Sequence, residues 1–305
     1  MAKEEQEKSK KGAPHFTPLA LFDNLEFMIT FTFAKTLNDI QKVEFESRVK
    51  LCLSQSFYES TDHKYIKPTF NSGGFKKGNS LSVYFHFNPI YLLKQKLVSE
   101  RRIIYEKGLR KRDTNFLPPE LVTKDIQNLN LSIAIVNLLG AIEWACCLIK
   151  LGANNVQCSI KFSILHTEAV IDTRFSGTEI NDKLTFFVKA FKDCFTKKQN
   201  VKPHRYDSDN ISGCTYLTIN RKRDPETGKI KYFEKVGSIY KKTPTILRFE
   251  YISCLKDTKY RFKDYRFNIR KLQIESIEDY KQQITTYLTD YLNKTEYYYR
   301  SCCNV

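Results

Sequence analysis

With 305 residues, the chain can bury a sizeable core as one large domain or two modest ones. Its composition, 41% hydrophobic and 13% aromatic with few glycines and prolines, is globular and excludes a collagen-like or low-complexity chain. Fifty Lys and Arg against 34 Asp and Glu leave a net charge of +16, which favours a polyanionic partner, either nucleic acid or an anionic membrane surface. The nine cysteines show no C-x-x-C spacing, and the adjacent pairs Cys146-Cys147 and Cys302-Cys303 suit neither a zinc cluster nor a disulfide framework. Reduced thiols in a cytoplasmic compartment are the expectation.

Residues 1–14 are mostly Lys, Glu, Gln and Ser and read as a disordered charged tail without the apolar core of a signal peptide. Phe27, Ile29, Phe31 and Phe33 alternate with smaller or polar residues, which predicts a strand. A helix is expected from Asn38 to Tyr58, starting at Asn38 or Asp39. The glycine-rich stretch Asn71 to Asn79 lacks the Gly-Lys-Ser/Thr ending of a phosphate-binding loop and reads as a connector. Leu81 to Phe87 alternates again, and Asn88-Pro89 ends that strand. Eight Lys and Arg between Tyr91 and Arg112 would give a helix there a positive face suited to phosphates. Pro118-Pro119 marks a break.

Leu131 to Leu151 is the most apolar run and is long enough to cross a bilayer. Asn137 and Glu143 lie inside it, and charge at the centre of a span is costly in lipid, so a buried core helix is expected, with no membrane partner. A long strand follows, with Cys158, Ile160, Phe162 and Ile164 on one parity, leading into Glu168, Asp172 and Arg174. Ile180 to Phe195 carries the apolar stripe Leu184, Phe187, Val188, Phe191, Phe195 of an amphipathic helix. Thr196 to Asn210 reads as a polar loop. From Gly213 to Lys256, three alternating segments separated by turn residues look like a strand meander. The turn Asp224-Pro-Glu-Thr-Gly228 is flanked by Arg221, Lys222 and Arg223 on one side and Lys229 and Lys231 on the other, a basic hairpin fit to reach DNA. Ser276 and Asp279 cap a last helix reaching Asn293.

The expected fold is α+β: an antiparallel sheet covered by amphipathic helices, arranged as two related subdomains. After the tail, residues 15–125 would form an N-terminal, DNA-reading α+β subdomain and 126–305 the catalytic one. Along the second, one order emerges: a carboxylate pair on a strand, a helix, Tyr216, Lys235, then Arg248 and Glu250 at period-two spacing. Tyrosine attacks a phosphodiester when a divalent cation polarises the phosphate and cations brace its oxygens. Oxygen-only ligands suit Mg²⁺ or Mn²⁺, so Glu168, Asp172 and Glu250 are the candidate metal ligands. Tyr216 is the candidate nucleophile, with Tyr206, Tyr232 and Tyr240 as alternatives, and Lys235 and Arg248 would brace the phosphate.

This order resembles the rolling-circle replication initiators of filamentous phages and of the plasmid Rep_trans type. The matching pieces are Glu168-x-x-x-Asp172, Thr215-Tyr216 behind Gly213, Tyr232-Phe-Glu-Lys235 and Leu247-Arg-Phe-Glu250, over about residues 81 to 275. Asn88-Pro89 after a strand is similar to the phage branch. The family's Gly and Ser after the Thr-x-Tyr are replaced by Leu217-Thr-Ile-Asn220. The resemblance implies a metal-dependent nick at a replication origin, single-stranded or supercoiled. A 5′-phosphotyrosine would conserve the bond energy and the free 3′-OH would prime host replication proteins. The alternative is a DNA- or RNA-binding protein without catalysis on the same basic surface; a third is a structural or membrane-surface protein.

Overall fold

The computed structural model describes residues 18–53, 69–70, 80–99, 117–152, 158–196, 201–206, 213–219, 233–254, 268–272 and 277–303. The tail 1–14, the connector 71–79, the basic stretch 100–112, the cap Ser276 and the hairpin bearing Arg221, Lys222, Arg223, Lys229 and Lys231 lie outside them.

Nine strands form one sheet, antiparallel throughout. They are β1 (Leu21–Phe33), β2 (Thr69–Phe70), β3 (Ser80–Phe87), β4 (Cys158–Arg174), β5 (Val201–Tyr206), β6 (Gly213–Ile219), β7 (Phe233–Thr243), β8 (Ile246–Cys254) and β9 (Asn268–Leu272). Their order is β2-β3-β1-β4-β8-β7-β6-β5, with β9 also pairing with β4. The helices are α1 (Asp39–Leu53), α2 (Pro89–Ser99), α3 (Lys124–Gly152), α4 (Ile180–Thr196) and α5 (Ile277–Cys303). The α+β class with helices covering an antiparallel sheet is thus observed. β1 and β4 lie side by side, with β3 and β2 beyond β1 and β8, β7, β6 and β5 beyond β4. The first half runs β1, α1, β2, β3, α2, α3 and the second β4, α4, β5, β6, β7, β8, β9, α5. The two halves share one sheet, and α3 belongs topologically with the first.

Apolar alternation explains most of the sheet. Phe27, Ile29, Phe31 and Phe33 of β1 meet Leu81, Val83, Phe85 and Phe87 of β3 and Ile160, Phe162 and Ile164 of β4 in one buried cluster. Phe27 stacks on Phe85 with ring centroids 4.8 Å apart. Over this face lie α1 through Phe45, α3 through Leu138, Ile142 and Ala145, α4 through Leu184 and Phe191, and α5 through Ile284 and Leu288. The α3 run is the single described helix apolar and long enough to cross a membrane, and here it is a core helix with Ala134, Leu138, Ala141, Ile142 and Ala145 buried. A smaller cluster of Leu21, Ile90, Leu93, Leu97, Leu117, Val122 and Val170 gathers under α2.

Residues 201–206, expected to be loop, form β5 at the sheet's end. Pro203 is tolerated there because an edge strand need not donate every N–H. Helix α1 starts as expected: Asn38 Oδ1 accepts from Gln41 N at 2.8 Å, and Gln41 Oε1 accepts from Asn38 N at 3.0 Å. That reciprocal cap satisfies two otherwise orphaned donors.

Two irregularities position the site. The β1–β4 register slips between Phe22 and Asn24, and again between Glu26 and Phe27, where Leu165 of β4 is the extra residue. A bulge turns a strand's alternation over. Ile160, Phe162 and Ile164 therefore face the layer of α1, α3, α4 and α5, while Glu168, Val170 and Asp172, of the same parity in sequence, face the opposite side, where α2 packs on Val170. In the first bulge, Asn130 of α3 takes over the backbone of Phe22. Its Oδ1 accepts from Phe22 N at 2.7 Å, and its Nδ2 donates to Phe22 O at 3.2 Å. This leaves Asp23 and Asn24 both opposite Glu168, so Asp23 is turned to the same face as Val170, beside the start of α2.

Candidate active site

On that face the registers build a polar cluster across four strands. Asp172 of β4 pairs with Arg248 of β8, and Arg248 pairs with Tyr240 of β7. One step along, Glu250 lies between Val170 and Ser238. Arg248 is 1% exposed and Glu250 3%. Because a buried charge is costly unless fully paired, the partners decide whether these residues can be ionised.

Arg248 is paired on two sides. Its Nε and Nη2 donate to the two oxygens of Asp172 at 2.8 and 2.7 Å, a bidentate fork. Its Nη1 donates to Asp23 Oδ2 at 2.8 Å. Burial alone would favour the neutral guanidine, but the charges of Asp172 and Asp23 outweigh it and hold the proton more firmly than usual. The second Asp23 oxygen accepts from Asn88 Nδ2 at 2.9 Å. Asn88 is also the cap of α2, its Oδ1 accepting from Tyr91 N at 2.8 Å. Burial raises the Asp23 carboxyl to about 6, against the lowering pull of Arg248.

Glu250 accepts from Ser238 Oγ and, at 2.5 Å, from the Tyr240 hydroxyl. Burial, with the Glu250 charge beside it, raises the Tyr240 phenol above its ordinary range. Tyr240 therefore holds its proton until a base removes it, and Glu250 is a base already in contact. Gly213 of β6 pairs with Tyr240, and a Cβ at Gly213 would stand 2.4 Å from the Tyr240 Cβ. Only glycine leaves Tyr240 its place in the strand. Further along β4, His166 Nε2 and Glu168 Oε2 are 3.4 Å apart.

The expected residues are thus brought together in part. Arg248, Asp172 and Glu250 share one buried cluster with Glu168 at its edge. Tyr216 and Lys235 are described by their backbones: Tyr216 pairs with Gly237 and Lys235 with Leu217, whereas Thr215 is the residue in register with Ser238. Missing from the expected set were Asp23, Asn88 and Ser238, and Tyr240 stood only as an alternative. Asp23 carried a signal, since it breaks the apolar run Leu21-Phe-Asp-Asn-Leu25.

Glu168, Asp172 and Glu250 suit Mg²⁺ or Mn²⁺ in kind, all being oxygen donors. The cluster also holds one guanidinium against four carboxylates, and Asn24 Oδ1 is buried without a hydrogen-bond partner. Their arrangement does not fit a shared ion: Asp172 faces Arg248 with both oxygens, and Glu250 faces Ser238 and Tyr240. Among the described residues, no three His, Cys, Asp or Glu side chains are grouped to hold a metal.

No protein-family model matches the chain, and no curated protein matches it. Solved structures that align with it include a hydrolase from Listeria innocua, 10% identical over 82% of this chain and 98% of that one, with a TM-score of 0.14. An uncharacterized conserved protein from Listeria innocua is 12% identical over the same shares, with a TM-score of 0.13. At such scores the likeness carries no argument about fold or activity.

Proposed function

We propose that the chain nicks and rejoins DNA as a rolling-circle replication initiator, through a covalent phosphotyrosine, with Tyr240 rather than Tyr216 as nucleophile. The observation that carries this is the 2.5 Å contact from the Tyr240 hydroxyl to Glu250, a nucleophile in reach of its base, with Ser238 orienting that base. The net charge of +16 supports a nucleic-acid substrate.

In the proposed step Glu250 takes the phenolic proton as the Tyr240 oxygen attacks phosphorus. The bond from phosphorus to the 3′ oxygen breaks, and that oxygen leaves with a proton from solvent. The 5′ phosphate stays on Tyr240, and attack by a 3′-OH reverses the step and rejoins the strand. Arg248, adjacent on β8, stabilises the charge developing on the tyrosine oxygen. Because the carboxylates are engaged by Arg248, Ser238 and Tyr240, the assay is run with Mg²⁺, with Mn²⁺ and with chelator to test whether the step needs an ion at all.

A second reading, DNA or RNA binding without catalysis, is favoured by one feature: all three nitrogens of Arg248 already donate to two carboxylates. The two readings part on incubation with labelled single-stranded and supercoiled DNA that includes the element encoding the protein, with each ion and with chelator. An adduct mapped to Tyr240, lost in Tyr240→Phe and kept in Tyr216→Phe, is the expected result. Loss in Tyr216→Phe alone moves the nucleophile there. Tight, salt-sensitive binding with no adduct or nick favours the binding protein.

A further inference from the structure

We infer that Asp23 and Asn88, both from the first half of the chain, are positioning residues for Arg248, so that the site of the second half is completed by the first. This role rests on the nicking chemistry proposed above. Asp172 grips one edge of the guanidinium through Nε and Nη2. That fork holds one edge of the guanidinium and leaves Nη1 to a second carboxylate. Asp23 reaches the remaining nitrogen, Nη1, from β1, on the far side of β4 from β8. A second carboxylate at a different edge fixes the plane of the guanidinium and, with it, the place of the positive charge beside Tyr240.

The position of Asp23 is set by other elements in turn. Asn88 Nδ2 holds its other oxygen, and the same Asn88 is tied to the first turn of α2 through Tyr91 N. Asn130 of α3 holds the bulge that turns Asp23 toward Arg248. Fold stability does not call for this arrangement, because replacing a buried ion cluster by apolar residues of similar size is often neutral or stabilising. Three anchors on one carboxylate are instead what a site needs to keep a charge within a fraction of an ångström.

The test measures single-turnover adduct formation and DNA affinity for the wild type, Asp23→Asn, Asp23→Glu and Asn88→Ser. Asp23→Asn is expected to slow adduct formation about 100-fold, as small misplacements do, while DNA affinity changes less than about threefold. Asp23→Glu restores part of the rate. Asn88→Ser keeps a capping oxygen for α2 but is too short to hold Asp23, so it slows the step about tenfold while melting like the wild type. An unchanged rate in Asp23→Asn beside an active wild type overturns the inference. A readout independent of activity is the nitrogen-15 spectrum of the Arg248 guanidinium. Its two Nη1 hydrogens, held from exchanging by Asp23 in the wild type, should average in Asp23→Asn, while the Nη2 pair stays held by Asp172. If the wild type forms no adduct, the nicking reading falls and this spectrum alone decides whether Asp23 positions Arg248: averaging supports it, an unchanged spectrum overturns it.

Discussion

Replacing Asp23 by Asn should change how the stability of the protein depends on pH, and the size of the change can be worked out. The Asp23 carboxyl titrates at about 6 in the fold and near 3.8 as a free side chain, because burial opposes its charge more than Arg248 favours it. Below the unfolded value both states carry the proton, and the group costs nothing. As pH rises through 3.8 the unfolded chain releases the proton first, so the fold loses stability until pH passes about 6. The full loss is about 3 kcal/mol, and about 2 kcal/mol of it falls between about pH 4.5 and 7.5. Asn at this position has no such dependence. Urea unfolding of both proteins across that range, followed by far-UV circular dichroism at fixed ionic strength, should show the difference moving by about 2 kcal/mol in favour of Asp23→Asn. Parallel pH profiles, or a shift in the other direction, would refute the reasoning that Asp23 is a buried carboxyl with a strained charge.

Arg248→Met would leave Asp172 and Asp23 buried without their cation, and urea unfolding near neutral pH should show a loss of about 3–5 kcal/mol. Gly213→Val would drive a side chain into the Tyr240 Cβ; calorimetry should register about 1–3 kcal/mol of overpacking, and adduct formation should fall with it. Gln127 donates from Nε2 to Ala20 O at 2.7 Å and to Glu296 Oε1 at 2.6 Å, and Glu296 Oε1 keeps the Ala20 N–H, so Gln127→Leu strands the buried Ala20 carbonyl and should cost about 1–3 kcal/mol in the same assay. Glu250→Gln should slow adduct formation by about 10²- to 10⁴-fold, the usual worth of a general base, with DNA affinity retained.

The sequence makes the apolar skeleton readable, because alternation in β1, β3 and β8 and the stripe of α4 are local properties. The cluster's geometry is less so. Parity alone puts Glu168 and Asp172 on the same side as Ile164. Only the extra residue Leu165 separates them, and nothing in the local sequence marks it. Asp23 was hidden for a related reason: its direction is decided by Asn130, more than a hundred residues away, holding Phe22 at both backbone atoms. The Arg-Phe-Glu pattern of β8 placed Arg248 and Glu250 on one face correctly. Their partners were not legible, since which carboxylate meets Arg248 depends on strand register rather than on spacing along either strand. Tyr216 drew attention through its motif, but the β7–β8 register aligns Tyr240 with Arg248, and the β6–β7 register sets Gly213, not Tyr216, opposite Tyr240.

The pairing of β1 with β4 has a consequence for synthesis. Until β4 leaves the ribosome β1 has only β3 beside it, and the contact between Thr32 and Ser159 joins residues 127 positions apart. Ala20 waits longer still, since its N–H is bonded by Glu296, 276 residues later. At about 5–20 residues per second, that interval is about 14–55 s. Through about the first half of it the nascent chain carries the unpaired edge of β1 beside a row of phenylalanines, the kind of surface that joins other chains. Truncated products ending before β4 should therefore collect in the aggregated fraction, while the full-length chain escapes it by closing its own edge.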